Sequence, residues 1–236
     1  MLPEAIRFPL GDPADRGAAA EALAVGGGLH LLAAVSWPVV PLPLFPLVAV
    51  VGYLVRVLGV AGDASDPGRL PSFRSPAAIV RDGLVGSALV VGFLLVPTVV
   101  LVVTVAGAIG GAAGGGIDPT TPLGYGATLV GGTATLLFAV ATVYPLPAVL
   151  AAYARGDPAD GTVSRVRDAL SPRQLRGTVS TGRYFYAWTV GATLLLLGTV
   201  LAGSGNRVAS LVGFFGLFYL EVAAAAVWSR GVGGNR

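Results

Sequence analysis

Apolar residues come along this chain in long runs separated by short polar segments, and the runs have the length of membrane spans. A helix needs about 20 mostly apolar residues to cross the hydrocarbon core of a bilayer. From Gly17 to Val60 only Glu21 and Arg56 are charged, and the stretch is long enough for two spans. Pro38, Pro41, Pro43 and Pro46 punctuate it, and proline removes a backbone donor and breaks helices. The pattern therefore predicts helices over Gly17–Trp37 and Leu42–Leu58, with Trp37 near the outer interface. Four more follow, over Gly83–Ala106 (kinked at Pro97), Tyr125–Tyr153, Tyr184–Ala202 and Val208–Trp228. The fold class predicted is all-α: one membrane domain over residues 1–236, a bundle of six transmembrane helices. The polar segments at 1–16, 59–82, 154–183 and 229–236 share one side. The Gly-rich "GAIGGAAGGGIDPTTPLG" and the "SGNR" turn lie on the other.

Composition strengthens this reading. The chain is 54% hydrophobic and 11% charged, against about 25% charged in soluble domains, so most of its surface must face lipid. It has no Cys, which excludes disulfides, thiolate nucleophiles and Cys-based metal sites. It has no Lys, which excludes a Schiff-base lysine or a P-loop, and its single histidine, His30, excludes a multi-His metal site. No cofactor is expected. The net charge of +3 does not indicate nucleic acid, because the arginines sit in short loops between apolar runs. Glu4 comes too early for an ordinary signal peptide.

Charge also orients the bundle. Of the 15 basic residues, all arginine, only Arg207 falls on the side opposite the termini. Positive residues in short loops mark the cytoplasmic side, so both termini are expected in the cytoplasm of a cell-membrane protein. The stretch "GDPAD" occurs at Gly11–Asp15 and again at Gly156–Asp160, with a relative, "GDASD", at Gly62–Asp66. Each copy lies on that side and precedes a pair of predicted helices, so the chain can be written as three loosely repeated helical hairpins. Gly, Asp and Pro are also ordinary turn residues, and Asp favours helix N-caps.

The stretches "GYLVRVL" (Gly52–Leu58), "LPSF" (Leu70–Phe73) and "RDGL" (Arg81–Leu84) together resemble an uncharacterised archaeal membrane-protein family, domain of unknown function 4013. "EAIRFPL" (Glu4–Leu10) looks like that family's opening segment. The likeness covers about the first hundred residues. It departs where the family's acidic, aromatic loop is "RSPAAIVR" here, and where Val85 replaces a lysine after "DGL". The resemblance implies a polytopic membrane protein and brings no activity with it.

The residues offer several candidate sites. Asp12 and Asp15, Asp63 and Asp66, and Asp157 and Asp160 put paired carboxylates at one membrane face, and carboxylates are hard ligands suited to Mg²⁺ or Ca²⁺. "DPADGTVSR" (Asp157–Arg165) resembles the first half of the CDP-alcohol phosphotransferase signature, with Ser164 in place of Ala. The second half is missing: Gln174, Gly177 and Thr181 stand downstream, with no Asp after Asp168 before the fifth helix. Acids inside membrane helices are costly and are functional candidates by default, which singles out Glu221. Counted from Trp228, Glu221 lies roughly 10 Å inside the boundary, and His30, counted from Arg16, roughly 21 Å. A direct His30–Glu221 pair is therefore not expected. Glu21 is the acid closer in depth to Glu221, and His30 reads as a packed residue with a satisfied imidazole. Asp82 suits a helix N-terminus, with Arg56 in reach across the turn. Arg165, Arg167, Arg173, Arg176 and Arg183, beside Val166, Leu170 and Leu175, form a basic segment suited to anionic lipid headgroups.

Three functional readings follow. The leading one is a non-enzymatic membrane protein acting through contacts with membrane lipids or a membrane-protein partner, since no catalytic set is complete. The second is a small-solute or ion permease using Glu221, since broken helices such as those at Pro41–Pro46 and Pro145–Pro147 often line transport sites. The third is a metal-dependent lipid headgroup transferase using the aspartate turns.

Overall fold

The computed structural model describes residues 2–12, 16–62, 69–113 and 121–233, the side chains at 108–113, 123 and 207 aside. The described chain is helical, with no strand. The helices are α1 (Leu2–Arg7), α2 (Arg16–Ser36), α3 (Leu44–Val60), α4 (Pro76–Ala113), α5 (Pro122–Val143), α6 (Leu146–Arg155), α7 (Thr162–Ala169), α8 (Pro172–Val179), α9 (Gly182–Ala202) and α10 (Arg207–Val232). Among the described residues five segments are long and apolar enough to cross a membrane: Arg16–Ser36, Pro76–Gly107, Gly124–Arg155, Gly182–Ala202 and Val208–Val232. The sixth predicted span, α3, is equally apolar but has 17 residues.

Side chains and prolines set the boundaries. Thr121, Thr181 and Asn206 cap α5, α9 and α10, each accepting a backbone N–H of the first turn, which satisfies donors a helix start leaves open. Proline at the first position opens α4 and α8. The Pro38–Pro43 run separates α2 from α3 through successive turns, in which Val39 N–H donates to Ser36 and Leu42 N–H to Val39.

The chain divides into two compact units, residues 1–87 with 147–236, and residues 88–146. The second unit is the remainder of α4 with α5. Its large side chains, among them Val99, Leu101, Val103, Leu136 and Leu137, are exposed, as expected of surface bathed in hydrocarbon. In the first unit α10 is the central element, packed against α1, α2, α3 and α9. Membrane helices gain little from hydrophobic association and rely on close packing of small residues. Here Ala223 to Ala226 are buried on α10. A methyl group at Gly26 or Gly27 of α2 would fall within 2.3 Å of the Phe218 or Phe215 ring. Tyr53, Tyr153, Tyr184 and Phe218 are the largest fully buried side chains.

Several boundaries differ from the sequence reading. Helix α4 starts at Pro76, not Gly83, and α10 ends at Val232, not near Trp228. It is the capping chemistry, Pro76 at one end and Gly233 at the other, that sets these ends, and hydropathy does not register it. The segments expected as polar loops carry short helices: α1, and α7 with α8. Helix α4 also continues through Pro97 into the Gly-rich stretch as far as Ala113.

Candidate functional site

The "GYLVRVL" and "RDGL" stretches form one clasp between α3 and the start of α4. A Cβ at Gly52 would lie 2.0 Å from the Ile79 carbonyl oxygen, and one at Gly83 would lie 2.0 Å from that of Val48. Val48 and Gly52 are four residues apart, as are Ile79 and Gly83, so the two backbones touch reciprocally, each through a glycine. Glycine is the residue that permits such backbone approach.

That approach brings charged groups together. Arg56 Nε donates to Asp82 Oδ2 at 3.4 Å and its Nη1 to the Ser72 carbonyl. Arg81 reaches Asp82 Oδ1 at 3.3 Å, and the Tyr153 hydroxyl donates to the same oxygen at 3.5 Å. Asp82 is 7% exposed, and it answers the cost of burying a charge by accepting from two guanidiniums and a phenol. Tyr53 stacks on Phe73 of "LPSF", with ring centroids 4.3 Å apart and nearly parallel. Asp82 thus serves as a buried counter-ion well inside α4, rather than as the expected group at its N-terminus.

The network continues through Tyr153 of α6. The Arg165 guanidinium lies 4.3 Å from the Tyr153 ring centroid, and its Nη2 donates to the Tyr153 carbonyl at 2.7 Å. Arg165 is 8% exposed and its Nε is buried without a hydrogen-bond partner. Nearby, Arg155 donates to the carbonyl and hydroxyl oxygens of Ser229, and the Ser229 hydroxyl donates to the Leu58 carbonyl. Arg155 and Arg165 help to line a pocket of about 490 Å³ between α6, α7, α8 and the end of α10.

A second polar contact lies inside the bundle and corrects the expectation from depth. His30 Nε2 and Glu221 Oε1 are 3.3 Å apart, between α2 and α10. The miscount came from Trp228. It packs over Gly191 and donates to the Trp188 carbonyl, so it marks no boundary, and α10 runs a further turn. His30 Nδ1 lies 3.0 Å from the Gly26 carbonyl. A carbonyl only accepts, so Nδ1 carries a proton. A proton on either Nε2 or Oε1 would make this contact a hydrogen bond. Glu221 Oε2 is buried without a partner.

The remaining candidates are dispersed. Glu21 and Asp12 are exposed. Asp15, Asp63 and Asp66 lie outside the described residues. Asp157 accepts from the Ala159 N–H at 2.8 Å and caps a 3-10 turn at Pro158–Asp160. Asp160 is exposed at the pocket. Among the described residues no three His, Asp or Glu side chains gather as metal ligands would. The two "GDPAD" copies also differ at their first residue: Gly11 turns at φ 66°, whereas Gly156 has no positive φ. Arg167, Arg173, Arg176 and Arg183 are exposed, whereas Arg165 is turned inward and is held by Tyr153 instead of facing headgroups. Sequence reasoning missed Tyr153, Tyr53 and Ser229. A tyrosine just before the basic "ARGD" was the available signal for the first. The other two sit on apolar helices with nothing to mark them.

An all-α chain with five helices of this length and hydropathy is a multi-pass membrane protein. It belongs to the family described as protein of unknown function (DUF4013), whose model matches residues 34–206. No curated protein and no solved structure matches the chain. The matched segment contains the clasp, Tyr153 and Arg165, while His30 and Glu221 both lie outside it.

Proposed function

We propose that this protein is a non-enzymatic component of the cell membrane that works through contacts with anionic lipid headgroups at an arginine-rich cytoplasmic face. The observation that carries the reading is the α7–α8 segment, which presents Arg167, Arg173 and Arg176, with Arg183 at the start of α9, all exposed. Basic groups beside a membrane attract anionic lipid by about 1 kcal/mol per charge. The exposed side chains of Val163 on α7 and of Leu170 at its C-terminal cap give that segment apolar contact with the interface. The distribution of arginines supports an orientation with both termini in the cytoplasm. The test is the lipid that stays with the protein through purification in mild detergent. Replacing Arg167, Arg173, Arg176 and Arg183 by Gln should lower the anionic share of that lipid at least twofold; an unchanged share would contradict the reading.

One observation favours a second reading, a proton-coupled permease: the His30–Glu221 contact between two spans, a pair of groups of the kind proton relays use. Proton-driven uptake of any solute into vesicles, abolished by Glu221→Gln, would establish it. Uptake unaffected by that variant would remove it.

A further inference from the structure

The turn between α2 and α3 is unlike a loop that meets water. No Asp, Glu, Lys or Arg stands between Glu21 and Arg56. Trp37, Val39, Val40, Leu42, Leu44 and Phe45 are all exposed at the turn, Val40 by 76%. They continue the lipid-facing surface of a membrane-spanning chain, which Leu32 and Val35 carry on α2. By contrast, the turn at Ser204–Arg207, in the same unit, is polar, and Asn206 caps α10 there. Helix length adds the depth. Arg56 is held near one end of α3 by Asp82 and by the Ser72 carbonyl of the polar segment. From Arg56 back to Leu44, where α3 begins, is about 18 Å at about 1.5 Å per residue. The hydrocarbon core is about 30 Å thick. Leu44 therefore lies inside it, and any tilt of α3 brings it deeper.

Irregular backbone at that depth must find its hydrogen-bond partners within the protein, and here most donors are removed or paired. Pro38, Pro41, Pro43 and Pro46 have no N–H. Val39 donates to Ser36, Leu42 to Val39, Leu44 to Pro41, Phe45 to Leu42 and Leu47 to Pro43, at 2.8–3.4 Å. The Ser36 hydroxyl donates to the Ala33 carbonyl. We propose that this turn is a wedge immersed in the acyl chains of the far leaflet. Trp37 sits at the boundary, where its indole N–H meets the polar part of the lipid. The occupant of the surface is lipid hydrocarbon, because the turn offers neither charge nor open backbone donors in the number a watery or polar partner would use. The inference goes beyond the headgroup reading: it concerns the other leaflet and owes nothing to the arginine face.

The chain has no cysteine, so Val39→Cys can carry a single nitroxide, and the exposure of Val39 lets the replacement spare the fold. The full chain is labelled and placed in phosphatidylcholine bilayers. Collisions of the label are then measured with oxygen, which concentrates in hydrocarbon, and with a water-soluble nickel chelate. Nitroxide lipids of known depth calibrate the ratio. The label should read below the phosphate level. Its nickel collisions should be about tenfold fewer than those of the same label at Gly205→Cys, since polar solutes are excluded from hydrocarbon. A reading above the phosphate, with nickel reaching both sites alike, would put the turn in water and overturn the proposal. An immobilised label shielded from oxygen and nickel together would mean that protein, a second copy or another chain, covers the turn, and that too overturns it. Loss of lipid preference at the arginine face would leave this result untouched, so the two readings fail separately.

Discussion

Gly83, like Gly52, has no room for a side chain in the α3–α4 clasp. A methyl group there meets a backbone carbonyl, which cannot swing aside as a side chain does. Gly83→Ala should force α3 and α4 apart and cost about 1–3 kcal/mol, the usual range for overpacking, read as a lower thermal midpoint in detergent. Asp82→Asn should cost a similar amount, since hydrogen bonds to charged groups contribute about 1.5–3 kcal/mol and Arg56 and Arg81 would lose their shared counter-charge. At Glu221 two variants separate packing from charge. Glu221→Gln keeps a donor for His30 Nε2 and should leave stability close to wild type. Glu221→Ala strands a buried nitrogen and should cost about 1–3 kcal/mol. A Gln variant as unstable as the Ala variant would contradict a hydrogen bond between the two side chains.

The elements show where the sequence was informative and where it was not. The spans were legible because membrane helices are long and uniformly apolar, and no other element in a chain this poor in charge looks like them. The clasp was legible in part: Arg56 and Asp82 were expected within reach of each other, and the structure brings them together. The contact between Gly52 and Gly83 depends on how the helices cross, which spacing along one chain does not encode. Depth along α10 was misjudged because Trp228, an aromatic of the type that marks interfaces, is used here to pack against Gly191. The short helices α7 and α8 were hidden because their charges read as loop, although their starts are set by Gly161 and by Ser171–Pro172. Cap chemistry is also where an element can be tested. Asn206 accepts from the Val208 and Ala209 N–H groups, so Asn206→Ala should cost about 1 kcal/mol, measured by thermal unfolding.

At the scale of the whole molecule, a packed unit around α10 carries every polar network described, while the second unit shows mainly apolar surface. The chain has no cysteine, so single cysteines report topology without background. A membrane-impermeant thiol reagent added to cells should label Gly205→Cys, where an added Cβ meets nothing, and should leave Asp160→Cys unlabelled until the membrane is opened. The central claim, that this protein works by engaging anionic lipid through its arginine face, is tested most directly by spin-labelled lipids in defined bilayers. With wild-type protein, labelled phosphatidylglycerol should be enriched over phosphatidylcholine in the motionally restricted boundary. That preference should fall as salt rises from about 0.05 to 0.5 M, since screening shortens the reach of exposed charges, and it should vanish when Arg167, Arg173, Arg176 and Arg183 are all Gln. Equal boundary occupancy by the two lipids around the wild-type protein at low salt would contradict the account.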